Sequence, residues 1–567
     1  MSFRNWVQAV SLGAFLAALA AAIHGPAAAG LDVFLRLDPA LTTITALAAR
    51  TLSLALLPAA LVVLSALFLG RAFCGYVCPM GATLDVGDHF LQPPLKHQPE
   101  PGGLPVIKYL LLAFLLGAAL CGVSFVFLAA PLSLITRLYA LVVHPLLAFL
   151  ADGAVNMFRP VAESWDWRTL VYAQIKPPRF GTQFFILGFF AALFVLGRRA
   201  PRFWCRYLCP AGAVLALFSR RPLISRRVSE DCVECGKCAR ACPMGAIPEN
   251  APRTTRRPEC LACQTCRDVC PVNAVRFGLP TDPPPETAVP AMPARRRFLA
   301  AAAGGAGLGL VGLTGISSLA GKPGVGQLAP PTLLRPPGAR PEMDFLSRCV
   351  RCGQCMAACP TNTLQPVWFG AGPLGLFSPA LTPKRGPCDP RCHKCGQACP
   401  TEAIRPLDGI ERVWAKTGTA TILRQKCLAW EYQKSCMVCD EVCPFDAVDF
   451  QREPGNPVPV PHVDESRCAG CGYCEHHCPI QGEAAIVVRP MGELRLPKGS
   501  YEKTARSQGL VLTIKPKGGA PSPPPGASPF TPAPAGPTPK PAPSAPSETP
   551  GYPPTPPATG PAPGFTK

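Results

Sequence analysis

The stretch Arg295-Arg296-Arg297-Phe298-Leu299, with the uncharged Ala-, Gly- and Leu-rich run that follows it to Ala320, divides this sequence in two. Two groups of four cysteines precede the stretch, and four groups follow it. A run of about 20 residues is long enough to cross a bilayer, and a basic cluster ahead of such a run normally stays in the cytoplasm. We therefore predict that the cysteines before Arg295 face the cytoplasm and that those after Ala320 face the other side. The alternative is a Gly/Ala linker between two soluble domains.

The composition predicts a multi-domain protein in contact with a membrane. The chain has 567 residues, 48% of them hydrophobic, and a net charge of +20. Arginines flank the apolar runs, as the positive-inside rule describes. No basic stripe interleaves with exposed aromatic residues, so the charge does not indicate nucleic-acid binding. Of the 29 cysteines, all but five fall into six similar quartets that each end in Cys-Pro, a repetition that a disulfide framework does not require.

Residues 1–227 predict a four-span membrane domain with its N-terminus in the cytoplasm. The segment Leu132–Leu150 is also apolar, but Arg137 and His144 interrupt it, so we expect an interfacial or partly inserted helix. His24 and His144 could ligate haem or lie near a quinone, although isolated histidines in apolar runs are more often satisfied locally. The four predicted spans are Trp6–His24, Leu47–Leu69, Leu104–Ala129 and Phe184–Leu196.

Both predicted cytoplasmic span ends carry one motif, Cys-x3-Cys-Pro, at Cys74 and Cys78 and again at Cys205 and Cys209. Two cysteines four residues apart lie on one face of a helix, and nearby arginine favours the thiolate form. Each pair is therefore a candidate for metal ligation, thiol redox chemistry or docking of a redox partner. The alternative is two pairs of ordinary buried cysteines.

Residues 228–280 carry two quartets with the spacing Cys-x2-Cys-x2-Cys-x3-Cys-Pro, which is typical of bacterial ferredoxins with [4Fe–4S] clusters. Three thiolates from one tight loop bind a cluster, and the fourth cysteine points to the other cluster. Cys242 is therefore expected to bind the second cluster and Cys270 the first. Zinc ribbons use Cys-x2-Cys pairs, but not three in step with Cys-Pro. The expected ligands are Cys232, Cys235, Cys238, Cys242, Cys260, Cys263, Cys266 and Cys270.

Residues 321–512 carry four more quartets, and the spacing leaves open which of them exchange their fourth cysteine. The second has one extra residue in its first gap and the third a much wider first gap, which inserts a loop without removing a ligand. Metal–thiolate bonds, rather than an apolar core, are expected to hold this domain together. An Ala-Ile or Ala-Val pair after most quartets predicts a short strand. The expected ligands are Cys349, Cys352, Cys355, Cys359, Cys388, Cys392, Cys395, Cys399, Cys427, Cys436, Cys439, Cys443, Cys468, Cys471, Cys474 and Cys478.

Between and after these domains, residues 281–294 are predicted to be a linker, and the Pro-rich residues 513–567 a flexible tail. The segment at residues 294–299 resembles a twin-arginine export signal, a pathway that carries folded proteins. Because this signal is internal, residues 295–320 would remain as a membrane anchor.

The two halves resemble two protein families. Residues 1–278 resemble the membrane subunit of NapH-type quinol dehydrogenases, in four spans, two Cys-x3-Cys-Pro motifs and two ferredoxin quartets. Residues 295–490 resemble NapG/MauM-type ferredoxins, in a twin-arginine signal and four quartets. The resemblance implies a multi-pass protein of the bacterial inner membrane, with cluster domains in cytoplasm and periplasm. It also implies that electrons leave the quinol pool for a periplasmic cytochrome or a reductase system, such as nitrate or nitrous oxide reduction.

We therefore expect a multi-domain membrane protein in which an α-helical transmembrane bundle joins two α+β bacterial-ferredoxin-like [4Fe-4S] domains. Its cofactors would be six [4Fe–4S] clusters and a quinone or quinol. The expected function is electron transfer from quinol or a cytoplasmic donor to a periplasmic reductase system, by a quinol dehydrogenase or by a non-enzymatic carrier. The alternative is an accessory factor that delivers reductant during maturation of a periplasmic metalloenzyme.

Overall fold

The computed structural model describes residues 3–25, 31–51, 56–91, 104–279, 293–314 and 332–515. Most of the predicted linker, the end of the apolar run before Ala320, and nearly all of the predicted Pro-rich tail lie outside these residues.

The N-terminal part of the described chain is a bundle of helices. A π-helical turn at Tyr139–Val143 joins α8 to α9, and a second one at Trp204–Leu208 precedes α12. The helices are α1 Phe3–His24, α2 Leu31–Arg36, α3 Pro39–Ala49, α4 Leu57–Leu69, α5 Ala72–Tyr76, α6 Pro79–Leu91, α7 Ile107–Leu120, α8 Pro131–Leu138, α9 His144–Ser164, α10 Arg168–Val171, α11 Gln183–Gly197 and α12 Pro210–Phe218.

Two helices of the described part are long and apolar enough to cross a membrane: α1, and the 34-residue run Pro131–Ser164 through α8 and α9. The predicted interfacial helix at 132–150 belongs to this run, and Arg137 does not end it because backbone carbonyls accept its guanidinium hydrogen bonds. The other three spans predicted in residues 1–227 correspond to shorter apolar helices of 11 to 17 residues. The described part of the predicted anchor, residues 295–314, is helical but is not among the helices that are long and apolar enough to cross a membrane. Arg50 and Gly122 explain the shortening, since both adopt positive φ, 50° and 82°, just after α3 and α7. The four-span bundle remains a prediction.

The cysteine-rich parts contain short helices and four two-stranded antiparallel sheets. In the first, β1 Ser225–Val228 pairs with β2 Val275–Gly278 around α13 Lys237–Arg240 and α14 Thr265–Asp268. In the second, β3 pairs with β4, β5 with β8 and β6 with β7. The elements from residue 295 onward are α15 Arg295–Thr314, α16 Glu342–Arg348, α17 Gln354–Ala357, β3 Leu364–Pro366, β4 Pro379–Leu381, α18 Lys394–Gln397, α19 Gly409–Trp414, β5 Thr419–Ile422, α20 Val438–Glu441, β6 Val448–Gln451, β7 Val460–Val463, α21 Tyr473–His477, β8 Ile486–Arg489 and α22 Tyr501–Ser507.

Three of the predicted short strands are present, because β2, β6 and β8 begin at the second residue of an Ala-Val or Ala-Ile pair. After Ala403, Ile404 forms only an isolated bridge with Ala339, and no strand follows Ala246. The second domain also buries apolar side chains completely, among them Phe345 and Tyr501. Metal–thiolate bonds are therefore not its sole source of stability.

Helix α15 packs along α7 in the same direction, and glycines make the contact close. A Cβ atom added at Gly305 would lie 1.9 Å from the carbonyl oxygen of Phe114, and one at Gly117 would lie 1.9 Å from that of Ala302. Further along both helices, Gly309 faces Cys121. Small residues at such positions let two helix backbones touch, which is how helices associate in membranes.

The two cysteine-rich parts contact opposite ends of α7. Lys108, in its first turn, forms an ion pair of 2.5 Å with Glu259 of the first cysteine-rich domain. Ser124, just beyond its last turn, accepts a hydrogen bond of 3.1 Å from Arg351 of the second domain. The 14 residues between these ends span about 21 Å of helix axis. Helix α7 therefore separates the two domains.

The α7–α15 contact makes a testable prediction. Gly305→Ala should destabilise the chain by about 1–3 kcal/mol, because its methyl group overlaps the α7 backbone. Gly304→Ala is the matched control, since nothing lies within 4 Å of its added Cβ. The control should be neutral or should stabilise the helix by up to about 1 kcal/mol. Thermal unfolding in detergent, followed by circular dichroism, measures both, and equal behaviour of the two variants would contradict the contact.

Candidate iron–sulfur centres

In the first cysteine-rich domain the fourth cysteine of each quartet lies with the other quartet, as the ferredoxin spacing predicts. Cys270 lines one cavity together with the first three cysteines of the preceding quartet. Cys242 lies beside Cys260, Cys263 and Cys266. The two candidate ligand sets are therefore Cys232, Cys235, Cys238 and Cys270, and Cys260, Cys263, Cys266 and Cys242.

The second domain repeats this exchange twice, which the spacing alone left open. Its first and second quartets exchange their fourth cysteines, and so do its third and fourth. Cys427, which a wide gap separates from Cys436, therefore still lies in one set with Cys436 and Cys439. The four candidate sets are Cys349, Cys352, Cys355 and Cys399; Cys388, Cys392, Cys395 and Cys359; Cys427, Cys436, Cys439 and Cys478; and Cys468, Cys471, Cys474 and Cys443.

The cysteines of these sets form no disulfide bonds with one another. All 29 cysteines are free of disulfide bonds, and four of the six candidate sets line cavities. In the described part of the chain, no three His, Cys, Asp or Glu side chains converge as they would around a single metal ion. This arrangement suits a polynuclear cluster held at its corners.

The backbone amides of the recurring Ala-Ile and Ala-Val pairs lie beside cysteine sulfurs. In four quartets an amide of the pair donates a hydrogen bond to the sulfur of the fourth cysteine. Such N–H···S bonds stabilise negative charge on a cluster ligand. The sequence analysis assigned these pairs to strands and did not identify this role. The four bonds are Ala246 N to Cys242 Sγ, 3.3 Å; Ile404 N to Cys399 Sγ, 3.5 Å; Ala447 N to Cys443 Sγ, 3.4 Å; and Ala485 N to Cys478 Sγ, 3.4 Å.

Two buried arginines donate directly to candidate ligands. Arg226 Nη2 lies 3.3 Å from Cys238 Sγ, and Arg412 Nη2 lies 3.1 Å from Cys388 Sγ. A charged donor beside a thiolate favours the more negative, reduced state of the cluster that it binds. These side chains are expected to raise the potentials of their clusters.

Two further arginines test whether an anionic cluster fits the set of Cys349. Arg137 and Arg351 are both buried beside it, and their guanidinium groups donate to backbone carbonyl oxygens. Neither forms an ion pair with a carboxylate in the part of the chain that the structure describes. A buried charge is stable only near compensating charge, and four thiolates around a cluster supply it. The residues present therefore fit a cluster here.

The prediction that the two cysteines of each Cys-x3-Cys-Pro motif share one face of a helix is wrong. Cys74 lies in α5, but Cys78 falls between α5 and α6. Cys205 lies in a π-helical turn, and Cys209 caps the N-terminus of α12, where its sulfur accepts the Gly212 amide at 3.2 Å. In each motif the helix therefore ends between the two cysteines.

All four of these cysteines instead form one buried group. Each is less than 10% exposed, and Cys205 acts electrostatically on Cys78 and Cys209. Burial is the main influence on the pKa of three of these thiols. It raises the pKa of Cys205 to about 11 and also raises the pKa of Cys78 and Cys209. The charges of Arg202 and Arg71 lower the pKa of Cys205, as the sequence analysis predicted, but burial outweighs them.

An arginine that precedes each motif donates a hydrogen bond to the other motif. Arg71 Nη2 donates to the Cys205 carbonyl at 3.3 Å, and Arg202 Nη1 donates to the Cys74 carbonyl at 3.0 Å. Arg71 also pairs with Glu259 at 2.9 Å. Burial alone would raise the pKa of Glu259, but the charges of Lys108 and Arg71 hold it below its usual value. The sequence analysis missed this exchange, although both arginines precede their motif by three residues.

The remaining candidates are also placed. His24 and His144 come together, with ring centroids 5.3 Å apart, although the sequence separates them by seven α-helices. Cys121 lies at the end of α7, where its sulfur is 3.5 Å from the Ala306 carbonyl of α15, in agreement with a packing role.

Family models agree with the cluster assignment. Models described as "4Fe-4S binding domain" match residues 345–365 and, as one model in two parts, residues 51–96 and 182–229. Models described as "4Fe-4S dicluster domain" match residues 231–275 and 434–481. Both Cys-x3-Cys-Pro motifs thus fall within one iron–sulfur model.

Three relatives illustrate what the chain is similar to. The methylamine utilization ferredoxin-type protein MauM of Methylorubrum extorquens is 38% identical over 165 residues, which are 28% of this chain and 72% of the relative. The ferredoxin-type protein NapG of Escherichia coli is 34% identical over 176 residues, 29% of this chain and 73% of the relative. The putative electron transport protein YccM of Escherichia coli is 30% identical over 198 residues, which are 33% of this chain and 45% of the relative. The MauM and NapG matches cover the C-terminal part of the chain.

The arginine beside Cys388 gives a second prediction. Arg412→Gln should lower the midpoint potential of that cluster by roughly tens of millivolts, because the reduced state loses a charged donor. Arg391→Gln removes an equal charge from an exposed position near the same loop, where solvent screens it, and is the matched control. Redox titration followed by electron paramagnetic resonance measures both potentials. Equal shifts in the two variants would show that the hydrogen bond has no particular effect.

Proposed function

Because this chain belongs to the family of ferredoxin-type proteins that includes MauM and NapG, we propose that its iron–sulfur clusters carry electrons across a bacterial inner membrane. The donor is quinol or a cytoplasmic reductant, and the acceptor is a periplasmic cytochrome or reductase system. The proposal rests on one observation: the two cluster domains contact opposite ends of α7.

The direction of α15 supports this topology. Because α15 runs parallel to α7, its arginine-rich start points towards the first domain and its end towards the second. The basic end of a spanning helix normally stays in the cytoplasm. The first domain would then be cytoplasmic and the second periplasmic.

The paired histidines supply a site for quinol. Quinol oxidation releases two protons with its two electrons, and His24 and His144 offer two imidazoles side by side. Leu141, three residues before His144, packs against Gly353 in the loop of the Cys349 set. A quinol at this pair would lie beside the nearest cluster of the second domain.

Steady-state oxidation of a quinol analogue with an artificial acceptor tests this site. Replacing His24 and His144 by alanine should lower turnover at least tenfold and leave cluster reduction by dithionite unchanged, because only the proton acceptors are lost. His89→Ala removes an exposed imidazole of α6 and should have no effect. Wild-type turnover in the double variant would rule out the pair as the quinol site.

The topology itself is tested at the twin arginine. Arg295→Lys together with Arg296→Lys keeps the charge but removes the planar guanidinium groups that a receptor reads. Protease added to spheroplasts should degrade the second domain of the wild-type chain and spare that of the variant. Arg297→Lys leaves the pair intact and should behave as the wild type. A wild-type second domain that resists protease while the spheroplast surface is digested would contradict the topology.

A further inference from the structure

The two Cys-x3-Cys-Pro motifs are copies of one longer repeat that includes an arginine. The first reads Arg71-x2-Cys74-x3-Cys78-Pro-x-Gly, and the second reads Arg202-x2-Cys205-x3-Cys209-Pro-x-Gly. In both copies the final glycine is required by space. A Cβ atom at Gly81 would lie 2.7 Å from the Cys74 carbonyl oxygen, and one at Gly212 would lie 2.5 Å from Arg71 Nη2.

The repeats face each other with approximate two-fold symmetry. Each arginine donates to the first cysteine of the opposite repeat, at 3.3 Å from Arg71 and at 3.0 Å from Arg202. The four cysteines consequently meet in one place between the repeats, and all four are buried. Six ferredoxin-type sets do not use them, so this is a seventh group of four cysteines.

Buried cations lie beside this group of cysteines. Arg71 and Lys108, both fully buried, share the carboxylate of Glu259. Arg202, also fully buried, shares the carboxylate of Asp85 with Arg4. Four cations therefore face two carboxylates.

Two further carboxylates lie near this group: Asp88, and the buried Asp38, which acts electrostatically on Cys209. Asp88 accepts the backbone amide of Arg202 at 2.9 Å and adds at most one negative charge. A [4Fe–4S] core bound by four thiolates carries two negative charges, and the buried guanidinium groups of Arg71 and Arg202 would lie close enough to offset them.

The group also touches the first cluster domain. Tyr76, between the two cysteines of the first repeat, donates to the Ala262 carbonyl at 3.0 Å. Its neighbour Gly75 packs against Leu261. Leu261 and Ala262 lie between Cys260 and Cys263, so this contact reaches the loop that holds a cluster.

Contacts on the other side lead to the second domain. Thr83, one turn into the helix that follows Cys78, bonds the Tyr139 hydroxyl at 3.1 Å. Two residues later, Leu141 packs against Gly353, between Cys352 and Cys355. Ser133, on α8, donates to the Val350 carbonyl of the same loop at 2.6 Å.

From this placement we propose that Cys74, Cys78, Cys205 and Cys209 bind a seventh iron–sulfur cluster, of the [4Fe–4S] type, between the two cluster domains. This inference rests on the proposed transmembrane relay and supplies its middle step. When the donor is a cytoplasmic reductant, the set of Cys260 gives one electron to the new cluster, which passes one electron to the set of Cys349. Each transfer oxidises one cluster and reduces the next, and no proton or covalent bond changes.

The first test counts clusters in the full chain. Native mass spectrometry of anaerobically purified wild-type protein, with iron and sulfide analysis, should give seven clusters and about 28 iron atoms per chain. Cys74→Ser with Cys205→Ser, which removes one ligand from each repeat, should lose one cluster and about four iron atoms. Cys121→Ser, at the α7–α15 contact, is the matched control and should keep all seven.

Two outcomes overturn the proposal. A fully loaded wild-type chain with only six clusters shows that the four cysteines hold none, and this count decides the matter even if the double variant fails to fold. A folded double variant that keeps the wild-type cluster number has the same meaning.

Electron passage provides the second readout. In the double variant, dithionite should still reduce the six remaining clusters, but electrons entering at the first domain should reach the second at least tenfold more slowly. Electron transfer from the first to the second domain at the wild-type rate in the double variant would overturn the proposed role of the seventh cluster. The cluster count does not depend on which side of a membrane each domain faces, so failure of the proposed topology and failure of this inference are separate results.

Discussion

Buried arginines lie beside candidate cluster ligands in both cysteine-rich domains, and the account of the structure depends on this contact. Arg226 and Arg412 donate to cysteine sulfurs, whereas Arg137 and Arg351 lie buried beside the set of Cys349 with carbonyl oxygens as their acceptors. Such cations are costly to bury unless negative charge lies nearby. Iron–sulfur clusters with four thiolate ligands provide that charge, so cluster insertion and folding are expected to be coupled.

The exchange of fourth cysteines between quartets places the candidate iron–sulfur centres next to one another. Each exchange ties two loops together and sets two clusters side by side, once in the first domain and twice in the second. Arg71 and Arg202 likewise connect two segments of the helical bundle, because each donates a hydrogen bond to the motif that follows the other. Helix α7 separates the domains, and the loops around Val350 and Leu261 each contact a helix of the bundle.

Local sequence predicted the local features, and long-range contacts escaped it. The ferredoxin spacing was sufficient to place Cys242 and Cys270, because the exchange occurs within one short domain. The exchange of Cys359 with Cys399 had several equivalent alternatives, and only the tertiary fold distinguishes them. Hydropathy overestimated the helix at Leu104–Ala129 because it does not register the positive φ of Gly122. The convergence of the two Cys-x3-Cys-Pro motifs joins residues more than a hundred positions apart, beyond the reach of any periodicity.

The central claim is that electrons cross the membrane through this single chain. It is tested most directly with the cluster-loaded protein in liposomes that contain trapped, oxidised cytochrome c, with the impermeant reductant dithionite added outside and an ionophore present to compensate charge. The account predicts that the trapped cytochrome becomes reduced, and that it stays oxidised in liposomes without the protein. Cytochrome that remains oxidised while the outward-facing clusters are fully reduced would contradict the account.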